Sequence, residues 1–229
     1  MKRASLLLGI AFIAFFVFSQ TGAEAVNVSF AQRFAPAAPM GDAGEYSFDK
    51  AHSAIGFKVK HMGLVDVIGF FRDFSGTVNF DNKDVTKSTV EFTAKATSVD
   101  TGVAARDGHL RTKDFFEVEK FADITFKSTN VTKKGTGYML TGDFTMKGVT
   151  KSITFPFDIA GWLPADDKSG GKMGLTAETT INRRDYGVNY GTTLPSGIAA
   201  LSDDIKIFLQ IEAVKQKAHR KGTSSKSKS

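Results

Sequence analysis

Apolar and polar residues alternate in one segment after another between residues 46 and 213, and this pattern limits the fold more than any other feature. Side chains on a β-strand point to opposite faces in turn, so alternation predicts strands with one buried face and one solvent-facing face. The run GDFTMKGVTKSITFPF at 142–157 shows the pattern twice, with Lys147-Gly148 between the two halves. Glycine tolerates the positive φ of a tight turn, so this step predicts a β-hairpin. Together the segments predict eight or nine strands, arranged as an antiparallel barrel or a sandwich.

Two stretches interrupt the alternation, MGLVDVIGFFRDF at 62–74 and RDGHLRTKDFFEVE at 106–119. Each is predicted to carry a short helix or an irregular loop. The second stretch places cations, acids and a histidine ahead of two phenylalanines. Its composition therefore fits either a catalytic loop or a loop that closes one end of a barrel.

The ends of the chain differ in composition from its body. Lys2 and Arg3 precede the apolar run LLLGIAFIAFFVF, and small residues follow at Ala23-Glu24-Ala25, so residues 1–25 are predicted to be a cleaved Sec-type signal peptide. Residues 26–44 are predicted to be a flexible linker, residues 45–214 the β domain, and residues 215–229 a disordered basic tail. An export signal predicts a periplasmic location. With no cysteine, the exported domain must fold without disulfides.

The formal charge of +6 does not indicate nucleic-acid binding, because most of the excess lies in the tail KQKAHRKGTSSKSKS. The tail is expected to be solvated. The alternative is a loose attraction to anionic membrane lipids.

The motifs of the common enzyme classes are missing from the sequence. No His-Glu-x-x-His or His-x-His grouping is present, and there is no Gly-x-Ser-x-Gly nucleophile elbow. Asp107, His109 and Arg111 fall within five positions and could form an acid-base cluster, but such a cluster is more often salt-bridged surface. A non-catalytic protein without a metal site is therefore expected.

The buried face has two possible uses. In a β-sandwich, the inward phenylalanines would interdigitate with an opposing sheet and fill the core. In a closed eight-stranded barrel, they could instead surround a ligand. Periodicity alone does not separate a filled interaction module from a binding barrel.

Four stretches of the chain resemble the YceI family of exported bacterial proteins that bind lipids or polyisoprenoids. They are RDGHLRTKDFFEVEKFADITFKS (106–128), GDFTMKGVTKSITFPF (142–157), NRRDYGVNY (182–190) and SDDIKIFLQIEA (202–213). The resemblance runs from about Tyr46 to Val214 and includes four motifs in order. One departure is Ala122, where relatives often have proline, and another is the basic tail.

The resemblance implies an all-β fold, an extended eight-stranded antiparallel lipocalin-like barrel with one or two short helices in its loops. The sole tryptophan, Trp162, comes too late in the chain for the Gly-x-Trp of true lipocalins. The implied function is non-catalytic binding and carriage or storage of a polyisoprenoid, quinone, fatty-acyl compound or similar amphiphile in an elongated apolar cavity, with no other cofactor. The alternative is a filled β-sandwich that acts as an interaction module without a small-molecule ligand. A lipid-modifying enzyme is a less favoured alternative, and the chain could form a homodimer.

On this basis the loop at 106–119 is interpreted as a lid, with its apolar side chains inward and Arg106, Asp107 and Arg111 in solvent. His109 is expected to hydrogen-bond to the loop backbone or to reach a ligand head group. Arg72, Arg183 and Arg184 are candidates for a cationic rim if the head group is anionic. The residues predicted to line the cavity are Ile55, Phe57, Val59, Phe71, Phe80, Phe92, Leu110, Phe115, Phe116, Phe126, Phe144, Phe155, Phe157, Ile181 and Ile207.

Overall fold

The computed structural model describes residues 41–167 and 169–216, and these form eleven strands and one α-helix. The predicted signal peptide, residues 26–40 of the predicted linker and residues 217–229 of the tail lie outside the described residues. The strands are β1 (Gly44–Phe48), β2 (Ala54–His61), β3 (Val65–Phe71), β4 (Phe74–Phe80), β5 (Thr89–Lys95), β6 (Val99–Asp100), β7 (Asp123–Lys134), β8 (Gly137–Met146), β9 (Val149–Leu163), β10 (Lys172–Asn182) and β11 (Leu201–Lys215). The helix α1 is Ala104–Arg111, and short 3-10 turns occupy Val85–Lys87, Ala96–Ser98 and Arg183–Tyr186.

The strands close into a ring. This closure confirms the predicted antiparallel barrel and excludes its alternative, a β-sandwich of two sheets. Hydrogen-bonded neighbours follow the order β1-β4-β5-β7-β8-β9-β10-β11, and β11 pairs back with β1. All of these pairings are antiparallel. Closure leaves no free sheet edge around this ring.

Three further strands extend the barrel at one end. The long strand β11 pairs with β1 through residues 213–215 and with β2 through residues 201–210, so β1 and β2 together act as one interrupted strand. In the same way, β3 and β4 form one interrupted strand, and so do β5 and β6. The strand β6 pairs with β3 at only two positions, and the chain then continues into α1. No pairing within the described residues joins β6 to β7, so the sheet is split beside α1.

The prediction of a helix or loop at 62–74 is wrong, because most of this stretch is β3. Its inward positions are Val67, Gly69 and Phe71. Gly69 has no apolar side chain, so it interrupts the alternation that would have predicted a strand. Gly69 lies opposite Phe57 on β2, and a Cβ atom at position 69 would collide with the Phe57 ring. The prediction for 106–119 is confirmed in part by α1. Within the described residues, no helix is long and apolar enough to span a membrane.

The half of the barrel that contains β1 and the C-terminal end of β11 is filled by side chains. Trp162 lies with its ring centroid 4.5 Å from Phe80 and 6.0 Å from Tyr46, and together they close this end. Tyr46 is almost completely buried, which raises the pKa of its hydroxyl, and that hydroxyl donates to the Asp42 carbonyl oxygen at 2.7 Å. Among the described residues, the void found between these side chains has a volume of about 50 Å³.

Phe126 and Phe144 are paired across β7 and β8, and the barrel predicts different costs for truncating them. Phe126 lies in the filled half, so Phe126→Ala is expected to lower the free energy of unfolding by about 3 to 5 kcal/mol. Phe144 borders a much larger cavity, so Phe144→Ala is expected to cost clearly less. Denaturant melts of both variants measure this difference, and equal losses would contradict the division into a filled and a hollow half.

Candidate functional site

A cavity of about 580 Å³ occupies the barrel end that carries α1. Its walls come from the inward faces of β2, β3, β5, β7, β8, β10 and β11, from α1 and the segment after it, and from the connection between β10 and β11. Most of the wall is apolar, and polar side chains such as His61, Arg106 and Arg183 make up the rest. This volume is within the range of small-molecule binding pockets.

The helix α1 and the segment after it cover part of this end. Leu110, Phe115 and Phe116 contact the cavity, and the Phe116 ring centroid lies 5.6 Å from that of Phe71 on β3. The backbone folds tightly here, because the Phe116 N–H donates to the Leu110 carbonyl oxygen and the Val118 N–H donates to that of Arg111. The segment therefore presents apolar side chains to the cavity from outside the sheet.

The charged residues of α1 fasten the helix to the chain before it. Asp107 accepts hydrogen bonds from the N–H of Thr101 at 2.9 Å and from its hydroxyl at 2.6 Å. Arg106 donates to the hydroxyl and the carbonyl oxygen of Thr101. Arg111 donates to the carbonyl oxygens of Thr97 and Val99.

The prediction that these charged residues stay in solvent is wrong for Asp107, which is buried. Both arginines are partly buried. The physical reason is that the turn before α1 carries backbone groups without strand partners, and the charged side chains supply their hydrogen bonds. The same contacts occupy two members of the suspected acid-base cluster.

His109 lies on the cavity wall and is held by a carboxylate. Its Nε2 atom lies 2.9 Å from Oδ2 of Asp114, in place of the expected hydrogen bond to the loop backbone. The imidazole makes edge contacts with Phe115, at 5.1 Å, and with Tyr190, at 4.7 Å between ring centroids. The ring therefore joins α1 to the β10–β11 connection at the cavity mouth.

Arg183 organises that connection from a buried position. Its guanidinium donates to the carbonyl oxygens of Ser202, Val188 and Tyr190 at 2.6 to 2.9 Å, and to the Asp203 carboxylate at 3.0 Å. Burial lowers the pKa of Arg183. These four acceptors leave the guanidinium committed to the protein.

The β10–β11 connection also contributes wall residues that the sequence analysis did not find. Its only sequence signal is the stretch NRRDYGVNY, which was recognised as a motif without being assigned to the cavity. The residues that it and the start of β11 add are Val188, Tyr190, Gly191, Thr192, Ala200 and Leu201.

The structure brings together most of the residues predicted to line a cavity. Those at the larger cavity are Ile55, Phe57, Val59, Phe71, Phe92, Leu110, Phe115, Phe116, Phe144, Ile181 and Ile207, together with His109 and Arg183. Four others lie around the small void in the filled half, namely Phe80, Phe126, Phe155 and Phe157. Aromatic rings pack on one another in that half, and the larger cavity lies in the half that carries α1.

The two other predicted rim arginines lie apart from the cavity wall. Arg72 pairs with Asp100 at 2.8 Å and places its guanidinium 4.6 Å from the ring centroid of Phe70. Phe70 alternates with the inward Phe71, so this contact is on the outer surface. Arg184 is paired with Asp203 at 2.6 Å.

One cluster on the outer surface has the donor types of a metal site. Ligand atoms of Asp49, His52 and Glu212 all lie within 4.8 Å of one another. They are already engaged, because His52 Nδ1 lies 2.9 Å from Asp49 and Lys172 places its ammonium 2.7 Å from Glu212. A cation at Lys172 opposes a second cation at the same carboxylate.

These contacts define a class of protein, a closed antiparallel lipocalin-like barrel with a mostly apolar end cavity that is partly covered by a helix. The chain belongs to the YceI family, because the model of the YceI-like domain matches residues 46–213. Protein YceI of Salmonella arizonae is 36% identical over 178 residues, which cover 76% of this chain and 89% of that protein.

Solved structures agree with this assignment. The YCEI protein of Campylobacter jejuni is 33% identical with a TM-score of 0.61, covering 74% of this chain and 96% of that one. BcnA of Burkholderia cenocepacia is 25% identical with a TM-score of 0.62, covering 72% and 98%. A polyisoprenoid binding domain from Saccharophagus degradans shares the fold at 15% identity, with a TM-score of 0.56 and coverage of 76% and 100%.

Arg183→Ala is expected to loosen the β10–β11 connection, because carbonyl oxygens of Val188 and Tyr190 lose their donor. The expected loss of unfolding free energy is about 2 to 4 kcal/mol. Hydrogen exchange should quicken at 187–200 more than in β7 to β9. Arg184→Ala is the matched control, since its guanidinium is half exposed, and exchange at 187–200 that is the same in both variants would contradict this role.

The Asp49 hydrogen bond, followed by the charges of Asp49 and Glu212, raises the pKa of His52. The pairing of protonated His52 with Asp49 therefore contributes to stability below the ordinary histidine pKa of about 6.5. This contribution is lost as the pH rises through the raised pKa of His52 in the folded protein. NMR titration should give His52 a midpoint above that of an unperturbed histidine, and Asp49→Asn should lower it. A midpoint unaffected by Asp49→Asn would contradict the pairing.

Proposed function

We propose that this protein binds a polyisoprenoid or a similar long-chain amphiphile in its end cavity and carries or stores it without chemical change. The observation that carries the proposal is the apolar cavity of about 580 Å³ beside a half that is packed almost solid. A hollow of this size lined by phenylalanine and aliphatic side chains favours an occupant that is itself apolar.

The energetics are sufficient for useful affinity. Burying one methylene group stabilises a complex by about 0.8 kcal/mol, so ten such groups contribute about 8 kcal/mol before ordering costs. That free energy corresponds to a dissociation constant of about 1 μM. Apolar contacts of this kind distinguish ligands by the volume and shape of their chains more than by chemical identity.

The polar groups at the mouth favour a neutral head group over a strongly anionic one. Arg183 is committed to four acceptors within the protein, and Arg106 donates to Thr101. His109 is paired with Asp114, which offsets any charge on the imidazole. We therefore propose that His109, Tyr190 and Thr192 contact the head group by hydrogen bonds or ring contacts.

Binding without catalysis is supported by how the suspected acid-base residues are used. Asp107 and Arg111 bind the backbone around residues 97–101, and His109 binds Asp114. The Saccharophagus degradans domain, described as polyisoprenoid binding, has the same fold and agrees with the proposed ligand class. We also propose that the protein is located in the periplasm. The basic tail, residues 215–229, is proposed to make weak contact with anionic lipids.

Displacement of a fluorescent long-chain alcohol probe, which is neutral, by an unlabelled primary amide of similar chain length tests the proposal. Ile207 and Phe208 are neighbours on β11, but Ile207 borders the cavity while Phe208 packs on Phe70 at the outer surface. Ile207→Trp is expected to weaken probe binding about tenfold, because the indole ring takes the space of about two methylene groups of the ligand. Phe208→Trp is the matched control and should bind as the unchanged protein does.

Saturable uptake at one probe per chain, lost in Ile207→Trp and kept in Phe208→Trp, is the expected result. Absence of saturable uptake in the unchanged protein would contradict the proposed function. Equal weakening in both variants would place the binding site outside the cavity and contradict it as well.

A further inference from the structure

We propose that Phe92 forms the floor of the ligand cavity and limits the bound chain to about 20 carbons, a specificity that rests on the proposed function. The ring layer to which Phe92 belongs separates the hollow half from the filled half. The protein would then select ligands by chain length, accepting a chain of this size and leaving part of a longer polyisoprenoid in solvent.

Phe92 is the residue that borders both internal spaces. It belongs to the wall of the large cavity and also to the wall of the void of about 50 Å³ in the filled half. Its neighbours in the register, Phe126 on β7 and Gly76 on β4, do not face the large cavity. Phe92 therefore lies between the two spaces.

The floor is held by stacked rings. Phe92 stacks on Phe126 with centroids 5.7 Å apart and an interplanar angle of 21°, and Phe126 contacts Phe155 on β9 at 5.4 Å. All three side chains are buried in the hydrophobic core. Moving one ring requires moving its neighbours, because a close-packed core has little free volume to accept it.

The cavity volume sets the chain length. A methylene group occupies about the volume of a water molecule in the liquid, ~30 Å³, so 580 Å³ holds about 20 of them. A chain that meets the floor gains no further burial from added carbons. Up to that length, each methylene should tighten binding by about fourfold.

Straight-chain primary amides of about 12 to 26 carbons test this limit in competition, read by native mass spectrometry. In the unchanged protein, affinity should rise with length and stop rising near about 20 carbons. Phe92→Ala removes the floor and joins the two spaces, so its cut-off should move to chains longer by several carbons.

The matched control is Phe80→Ala, the same truncation of a buried phenylalanine that borders only the small void. Its cut-off should equal that of the unchanged protein, because the floor remains. Val59→Phe acts in the opposite sense, since Val59 borders the large cavity, and should shorten the cut-off. If Phe92→Ala does not fold, Phe92→Leu supplies a smaller shift in the same direction.

The outcomes separate the two proposals. Absence of saturable uptake of every amide would contradict the proposed function itself. Uptake with no cut-off, or with the same cut-off in the Phe92 variants as in the unchanged protein, would contradict the floor while leaving binding intact. A cut-off that lengthens in Phe92→Ala and not in Phe80→Ala supports the inference.

Discussion

Ring closure through β11 is the constraint on which the rest of the structure depends. This fifteen-residue strand pairs with β10 along one side, and along the other with β2 and then with β1. Without the contact between β11 and β1, the sheet would be open and its inward face would need a second sheet to cover it. With it, the same inward side chains surround an interior, and their size decides how much of that interior is empty.

The two halves of the barrel use this closure differently. In the half that contains β1 and the C-terminal end of β11, aromatic side chains from different strands contact one another and leave a void of about 50 Å³. In the other half, the interrupted strands β2, β3 and β6 extend the wall, and the sheet is split where α1 begins. The helix covers this split from outside, held by Asp107, Arg106 and Arg111, so the cavity gains a wall that is not a strand.

Local pattern was sufficient to predict most strands and the direction of their side chains. Ile55, Phe57 and Val59 alternate with polar or small neighbours, and all three border the cavity. The pattern failed at β3, because Gly69 stands at an inward position to admit the Phe57 ring, which a one-dimensional pattern does not record. It also failed for Asp107, whose burial depends on Thr101 coming within hydrogen-bonding distance.

The sequence by itself determined that this chain forms strands of alternating apolar and polar residues and that the chain belongs to the YceI family. It also determined which side chains point inward, because side-chain direction follows from the pleat of each strand. Only the tertiary structure decided which inward phenylalanines meet other rings and which face empty space. Phe57 and Phe155 have the same local pattern, yet one borders the hollow and the other the filled half. The physical reason is that filling depends on the distance to the opposite wall, which residues far apart in sequence fix together.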